Sequence, residues 1–355
     1  MTTDHLKLTT YCGERQRHEH RFVADALLDL YAGADVAISV LLRGIASFGP
    51  RHQLRSDESL TLSEDPPVTV TAVDSADKIA ALAEQAVAMI PRGLITVERA
   101  QLVRADSPAP IVPETAKLTV YVGRHHRVAG APAYRAICSA LHRHGLSGAS
   151  VFLGVDGTVH GQRRRARFFG RNADVPIMID AVGTGAQITA ALAELDGLGD
   201  QPIFTVERAQ LCKRDGQLLT RPAPLPATDD LGRPLWQKLM VHTSEAALHD
   251  GTPIHRAIVR RLLQSGTTSG ATALRCVWGF DGDAEPHGDK LFQLGRHVPV
   301  TTVVVDTPDR ISAAFDVIDE ITARHGLVTA EMVPAATTVD AGHRYGGTSL
   351  ARYSY

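Results

Sequence analysis

Apolar positions in this chain follow two alternating spacings. Runs rich in β-branched residues follow a proline at residues 68–73, 177–182 and 300–305, and each run predicts a strand. Behind each run, apolar residues recur at i, i+3, i+4 and i+7, as at Ile79 and Leu82. That spacing predicts a helix with one buried face. A strand followed by an amphipathic helix therefore occurs three times.

Hydroxyl residues mark the predicted helix starts. Ser75, Thr184 and Thr307 each come directly after a strand, where a side-chain oxygen can accept from a free backbone N–H, and Pro308 fits a first helical position. A further β-rich run closes each unit. These closing runs lie at residues 94–103, 203–212 and 327–333.

The chain repeats itself. Residues 96–102 (TVERAQL) return as residues 205–211, 109 positions later, and a diverged third version lies at 327–331. A period of this length is the size of a domain. The predicted divisions are repeats at 1–104, 113–213 and 235–335, followed by a flexible C-terminal tail at 336–355.

The first half of each repeat completes a fold. A strand beginning with lysine (7–12 in the first copy) precedes a helix ending at a glycine, and a second strand follows. The order β-α-β-β-α-β is that of the ferredoxin-like motif. Long polar loops separate strands two and three of every copy, and connections of such length in compact domains are functional or disordered. These loops lie at residues 47–65, 157–174 and 279–297.

The strands suggest why three copies share one chain. Two helices cover only one face of a ferredoxin-like sheet, and a solvated second face would alternate polar with apolar residues. Residues 36–42 and 301–305 are instead nearly continuous apolar runs. We therefore expect the three sheets to pack together as an intramolecular pseudo-trimer. The alternative is three independent domains on linkers.

Composition and charge narrow the kinds of protein that this chain can be. The 355 residues carry a formal charge of −2, which gives no reason to expect nucleic acid or insertion into an anionic membrane. No apolar run approaches the length of a membrane-spanning helix, and the N-terminus lacks the features of a signal peptide. None of the four cysteines forms a C-x-x-C pair. These features favour a cytoplasmic protein.

Two segments carry a family resemblance. Residues 42–51 (LRGIASFGPR) resemble the end of strand two and the start of the T-loop of the PII-like superfamily, and residues 93–98 (GLITVE) resemble the entry to its last strand. More narrowly, the chain is similar to an uncharacterised bacterial PII-like family often encoded beside fluoride channels. The resemblance implies trimers of ferredoxin-like units that act as sensors, with a membrane channel, a transporter or another regulated protein as the partner.

The resemblance also implies ligand sites. PII proteins bind ATP or ADP between subunits, against the T-loop base on one wall and a neighbour's glycine-rich turn on the other. The implied residues are Arg43, Phe48, Gly49, Arg51, Arg275 and Phe280 on the first wall, and Arg92, Gly93, Gly197, Gly199, Arg324 and Gly326 on the second. No copy keeps the phosphate-binding lysine of the PII turn, and Leu153 replaces the arginine in copy two. The three clefts are therefore expected to be unequal.

Other clusters leave alternatives open. The second long loop carries Arg163, Arg164, Arg165 and Arg167. These arginines can contact an acidic partner, a phosphate or nucleic acid, pair with the acidic residues at 281–289, or be solvated. The acidic loop itself fits a hard cation or a flexible loop. His18 and His20, with the pair at 125–126, fit a transition-metal site or ordinary surface histidines.

Catalytic motifs are missing from the sequence. It contains no G-x-S-x-G, HExxH, Walker A or Rossmann fingerprint, so an enzyme is not expected. Glu98, Glu207 and Glu331 recur at one strand position, which fits structure as well as acid–base chemistry. The leading hypothesis is a sensor that binds a small effector in an inter-repeat cleft. The alternatives are a structural adaptor with empty clefts and a metal-binding protein of CutA-like architecture.

Overall fold

Each of the three repeats forms its own unit of the predicted α+β class, with an antiparallel sheet. The computed structural model describes residues 5–56, 65–103, 112–166, 175–196, 202–288 and 298–353. Copy one contains β1 (His5–Gly13), β2 (Arg17–His18), β3 (Arg21–Phe22), α1 (Val23–Gly33), β4 (Ile38–Phe48), β5 (Arg55–Ser56), β6 (Pro67–Ser75), α2 (Ala76–Met89) and β7 (Arg92–Val103).

Copy two repeats this order with a broken last strand. It contains β8 (Thr115–Gly123), β9 (Arg127–Val128), β10 (Ala131–Pro132), α3 (Ala133–Arg143), β11 (Gly148–Leu153), β12 (Asp156–Val159), β13 (Gln162–Arg163), β14 (Pro176–Thr184), α4 (Gly185–Leu195), β15 (Ile203–Arg208), β16 (Gln210–Arg214) and β17 (Gln217–Leu218).

Copy three is extended at its C-terminus. It contains β18 (Trp236–Ser244), β19 (Leu248–His249), β20 (Thr252–Pro253), α5 (Ile254–Ser265), β21 (Ala271–Arg275), β22 (Trp278–Asp281), β23 (His287–Gly288), β24 (Pro299–Asp306), α6 (Pro308–Ile321), β25 (Leu327–Val333), β26 (Ala335–Asp340) and β27 (His343–Gly346).

The ferredoxin-like topology is confirmed. In copy one, β1 pairs antiparallel with both β6 and β7, and β4 pairs with the far edge of β6. Copies two and three repeat these pairings. Each copy buries its own core between the sheet and two helices. The sequence could predict this layer because one apolar stripe runs along each helix.

Helix capping differs in part from expectation. Thr184 caps α4 in a reciprocal pair with Gln187, as predicted. Ser75 and Thr307 make no such side-chain bond. At these two sites Asp74 and Asp306 accept from the backbone N–H groups of the cap residues themselves, 75 and 307. Copy two has Gly183 there and relies on the threonine.

The second strands join the copies into a closed ring. β4 pairs with β21 of copy three, β22 of copy three pairs with β11 of copy two, and β12 of copy two returns to pair with β4. The start of each predicted polar loop is therefore a strand extension that hydrogen-bonds to a neighbour. Closure leaves no copy with this edge unpaired, which removes a route to aggregation.

The last strands form a second ring. The end of β7 pairs with β15, β16 pairs with β25, and β26 pairs with β7. The prediction of a flexible tail at 336–355 is wrong for the residues described, because 335–346 form a hairpin whose first strand closes this ring. The tail lacks a repeat partner, so its sequence pattern gave no sign of this role.

The second sheet faces are buried between copies, as expected for a pseudo-trimer. One inter-copy cluster joins Val40, Phe152 and Leu274, one from each copy. Another packs Trp236 and Met240 of copy three against Tyr11 and Leu94 of copy one. The protein therefore consists of three ferredoxin-like units whose sheets surround a common axis.

Removing the tail tests the second ring. A chain ending at Pro334 exposes the edge of β7 and removes the core side chain Val339, which is 3% exposed in the full chain. We expect the melting temperature to fall by more than about 5 °C, with new self-association through the open edge. Differential scanning calorimetry and size-exclusion chromatography measure both. His343→Ala, an exposed change in the same hairpin, is the control, and an unaltered melting temperature of the truncated chain contradicts the assignment.

Candidate functional site

A cleft lies between copies one and three, under the base of the first long loop. It encloses about 870 Å³, its open side included. Copy one contributes Phe48, Gly49, Arg51, Arg92 and Gly93, so the structure brings these five predicted residues together. Copy three contributes residues 269–272 and two valines of β24.

Strand pairing between copies builds the cleft. β4 runs to Phe48, where Ala271 of copy three lies opposite in the ladder. Beyond it the backbones of the two copies approach closely, since a Cβ at Gly270 would lie 2.9 Å from the carbonyl oxygen of Phe48. Gly93 has φ +151, and a Cβ there would lie 2.2 Å from the carbonyl oxygen of Tyr11, so only glycine fits.

The two predicted walls belong to the same copy. The family pattern places the glycine-rich turn on a neighbouring subunit, whereas here Arg92 and Gly93 come from the copy that supplies the loop base. The neighbour supplies instead the small residues Ser269 and Gly270, which the sequence reasoning missed. In the repeat alignment, Gly270 occupies the position of Ile38 in copy one, and this difference in side-chain size was the available signal.

Arginines give the cleft its charge. The Nε of Arg92 lies 2.8 Å from Oδ1 of Asp340, and the Nε of Arg51 lies 3.4 Å from the same oxygen. Hydrogen bonding from Arg92, with the charge of Arg51 added, lowers the pKa of Asp340. Arg55, also in the lining, lies 3.8 Å from Asp65. Asp340 comes from the tail strand and was not foreseen.

Two other predicted arginines lie outside this lining. Arg43 donates to Glu14 at 2.8 Å through Nε, and Arg275 donates to Glu245 at 2.6 Å. The two glutamates are repeat equivalents, so the same ion pair recurs within copies one and three. Copy two has Leu153 in place of the arginine. The recurrence within single copies indicates a structural role for both arginines.

The remaining predicted cleft residues are dispersed. Phe280 is buried edge-on against His142, with ring centroids 5.1 Å apart. Gly326 has φ +112 and opens β25, and Arg324 lies in the segment just before it. Gly197 and Gly199 lie outside the described residues.

The arginines of the second loop bind within the protein. Arg163 contacts Asp25 and Asp29 of α1, each at 2.5 Å, and Asp156 at 2.7 Å. Arg165 lies 3.3 Å from Asp25. The suggested pairing with residues 281–289 is therefore not what these two arginines do, and the loop is attached to copy one instead.

The other two arginines of the second loop are Arg164 and Arg167. Arg164 donates to Gln162 at 2.6 Å, and Arg167 lies outside the described residues. On the acidic side, Asp283 contacts Arg214 at 3.2 Å. Electrostatic pairing therefore occurs at both loops, but with partners other than those expected.

Six charges are buried where the three sheets meet. In every copy the first-strand lysine lies opposite the last-strand glutamate in register: Lys7 and Glu98, Lys117 and Glu207, Lys238 and Glu331. Each lysine also contacts the glutamate of another copy. Lys7 reaches Glu207, Lys117 reaches Glu331 at 2.6 Å, and Lys238 reaches Glu98.

These contacts close into an alternating six-membered ring, here called the charged ring. Its other edges measure 3.7 Å from Lys7 to Glu98, 3.1 Å from Lys117 to Glu207 and 3.0 Å from Lys238 to Glu331. The ring is electrically balanced, as buried charges must be. The lysine and glutamate positions both recur in the sequence, and the strand order would have placed them together.

The charged ring bears on the metal hypothesis. Within the described ranges, Glu98, Glu207 and Glu331 form the one cluster of three carboxylate, histidine or cysteine side chains close enough to share an ion. Their oxygens already accept from three ammonium groups, so the cluster is an ion-pair network. His18, His20, His125 and His126 belong to no such cluster among the residues the structure describes.

Burial and charge act in opposite directions on the ring glutamates. Burial alone would raise the pKa of Glu207, but Lys117 and then Lys7 lower it to about 2. Glu98 is lowered similarly by Lys238 and Lys7. Burial would lower the pKa of Lys117, but Glu207 and Glu331 raise it well above its ordinary value. All the shifts favour the charged forms.

Removing one member of the charged ring should be costly. Glu331→Gln leaves the ammonium groups of Lys117 and Lys238 undercompensated in the interior, and we expect a loss of about 3–5 kcal/mol in unfolding free energy. Urea denaturation measures it. Glu194→Gln, which removes an exposed ion pair with Arg143, is the matched control and should cost under about 1 kcal/mol. Equal, small effects would contradict a structural role for the ring.

Lowering the pH should remove the stability that the charged ring contributes. The folded pKa of Glu207 is about 2 and its ordinary value is 4.5, so its contribution is complete above about pH 4.5 and lost as pH falls toward 2. We expect the urea midpoint to fall steeply below pH 4.5, and to fall less steeply in Glu207→Gln. A pH dependence identical in both proteins would contradict this account.

The described helices contain none long and apolar enough to cross a membrane.

Comparison with known proteins agrees with the triplicated fold. The model of a family described as DUF190, "Uncharacterized ACR, COG1993", matches residues 5–102, 115–211 and 236–335 in tandem. A UPF0166 protein of Aquifex aeolicus (strain VF5) is 32% identical over 96 residues, which is 27% of this chain and 88% of that protein. One repeat here thus corresponds to nearly the whole of that relative.

Proposed function

Since this chain belongs to the PII-like DUF190 family and carries it in three tandem copies, we propose that it is a non-enzymatic sensor. Its effector is a small ligand of the adenine nucleotide class, bound in the cleft between copies one and three. Binding orders the first long loop, which then contacts a partner protein such as a membrane channel or transporter. The proposed cellular location is the cytoplasm.

The cleft is the observation that carries this proposal. Five residues chosen for their resemblance to PII ligand walls line one cavity together. Phe48 and Leu94, with Val303 from copy three, supply an apolar surface suited to a planar base. Arg51 and Arg92 can donate in pairs to a phosphate group.

The position of the cleft supports coupling to the loop. Arg51 and Arg55 both line the cleft and stand at the start of the long segment that leads to β6. A ligand that contacts these side chains binds one arrangement of the segment better than others. Such differential affinity is sufficient for signalling, without a chemical step.

A structural adaptor is the second candidate. It is favoured by the ion pairs that already satisfy Arg51 and Arg92 through Asp340. Arg43 and Arg275, predicted for ligand binding, are likewise engaged with glutamates of their own copies. An adaptor would use the long loops for partner proteins and leave the cleft empty.

Direct binding separates the two candidates. Isothermal titration with AMP, ADP and ATP should show binding at one site per chain. Phe48→Ala and Arg92→Gln should each weaken it about tenfold or more, since they remove the apolar surface and a charged donor. Arg221→Gln, which breaks an exposed ion pair with Asp316 outside the cleft, is the control and should leave binding unchanged. Absence of binding by all three nucleotides contradicts the sensor and favours the adaptor.

A further inference from the structure

The tail strand places a carboxylate among the cleft arginines. Asp340 is the last residue of β26 and lies opposite Arg92 in the antiparallel ladder with β7. Its backbone is therefore fixed by strand pairing, and its side chain is fixed by Arg92 at 2.8 Å. Thr338 of the same strand lines the cleft, and Asp340 contacts it through the lining residues Arg51 and Arg92.

This carboxylate changes the charge that a ligand meets. The cleft lining contains Arg51, Arg55 and Arg92, with three positive charges. Asp340 contacts two of these arginines and Asp65 lies near the third. Among the described residues, this leaves one positive charge over. The pKa of Asp340 is lowered by Arg92, so the carboxylate stays ionised at neutral pH.

A ligand must share these arginines with Asp340. A single anionic group can accept from the outer N–H groups of Arg51, whose side chain is 49% exposed, while Asp340 keeps Arg92. A chain of two or three phosphates would bring further negative charge close to the fixed carboxylate, and the described lining residues include no lysine to balance it. Like charges at close range repel.

We propose that Asp340 is a specificity-determining residue that restricts the cleft to ligands with one phosphate group and disfavours di- and triphosphates. This inference rests on the proposed function, because it concerns the ligand of the same cleft. It assigns to the C-terminal hairpin a selective role in addition to closing the second strand ring. It also predicts that affinity decreases from AMP to ADP to ATP.

Titration without divalent cations tests the proposal, so that the phosphates keep their full charge. The wild-type protein should bind AMP more tightly than ATP. Asp340→Asn should raise the affinity for ATP relative to AMP roughly tenfold, given the two or so additional negative charges of ATP. Asp340→Glu keeps the charge and should keep the preference. Asp316→Asn removes one negative charge from an exposed ion pair outside the cleft and should leave the ratio unchanged.

The outcomes separate the two proposals. If wild-type protein binds ATP as tightly as AMP, or if Asp340→Asn changes both affinities equally, the selectivity assignment is wrong while the sensor proposal stands. If neither wild-type protein nor Asp340→Asn binds any of the three nucleotides, both proposals fail. Circular dichroism of each variant confirms the fold, and Asp340→Ser, which also removes the carboxylate, provides the test should the asparagine variant be unstable.

Discussion

The pairing of β-strands between copies is the interaction on which the rest of this structure depends. A ferredoxin-like sheet ends in two edges whose backbone groups need partners. Here the second strand of each copy extends onto one neighbour, and the last strand extends onto the other. Both series close on themselves. The cleft, the buried apolar faces and the charged ring exist because the two closures hold the sheets around one axis.

The charged ring shows what such a closure permits. Three lysines and three glutamates are nearly inaccessible to solvent, which is costly unless every charge finds opposite charges at hydrogen-bond range. Each lysine lies between a glutamate of its own copy and one of another copy. A copy displaced from its place would leave charges unbalanced in the interior. The ring thus favours one relative arrangement of three domains whose apolar contacts alone are less directional.

Much of the fold could be predicted from the chain. The repeat of residues 96–102 fixes the number of domains, and apolar runs such as 36–42 indicate that the second sheet faces are covered. The hairpin at 335–346 could not be predicted, because it has no equivalent in the other repeats. Its first strand is stabilised by pairing with the edge of β7, which lies far away in the sequence. Local pattern carries no information about such an edge.

Some residues of the candidate site could likewise be predicted from the sequence, and others could not. Phe48, Arg51 and Arg92 were accessible through motif resemblance. Phe48 and Arg51 lie within residues 42–51, and Arg92 precedes Gly93, where only glycine fits. Arg43 matched the same motif but binds Glu14, and no sequence rule distinguishes an arginine that faces a cleft from one that faces its own strand. Asp340 and Gly270 depend on which copy lies beside which, and that follows only from the direction of the two strand rings.

Cooperativity of unfolding tests the central claim most directly. Both tryptophans, Trp236 and Trp278, lie in copy three, so their fluorescence follows that copy, whereas far-ultraviolet circular dichroism follows all three. If closed strand rings make the copies one unit, the two signals change together in a single urea transition with the same midpoint. Separate midpoints, with copy three unfolding apart from the others, would contradict the account.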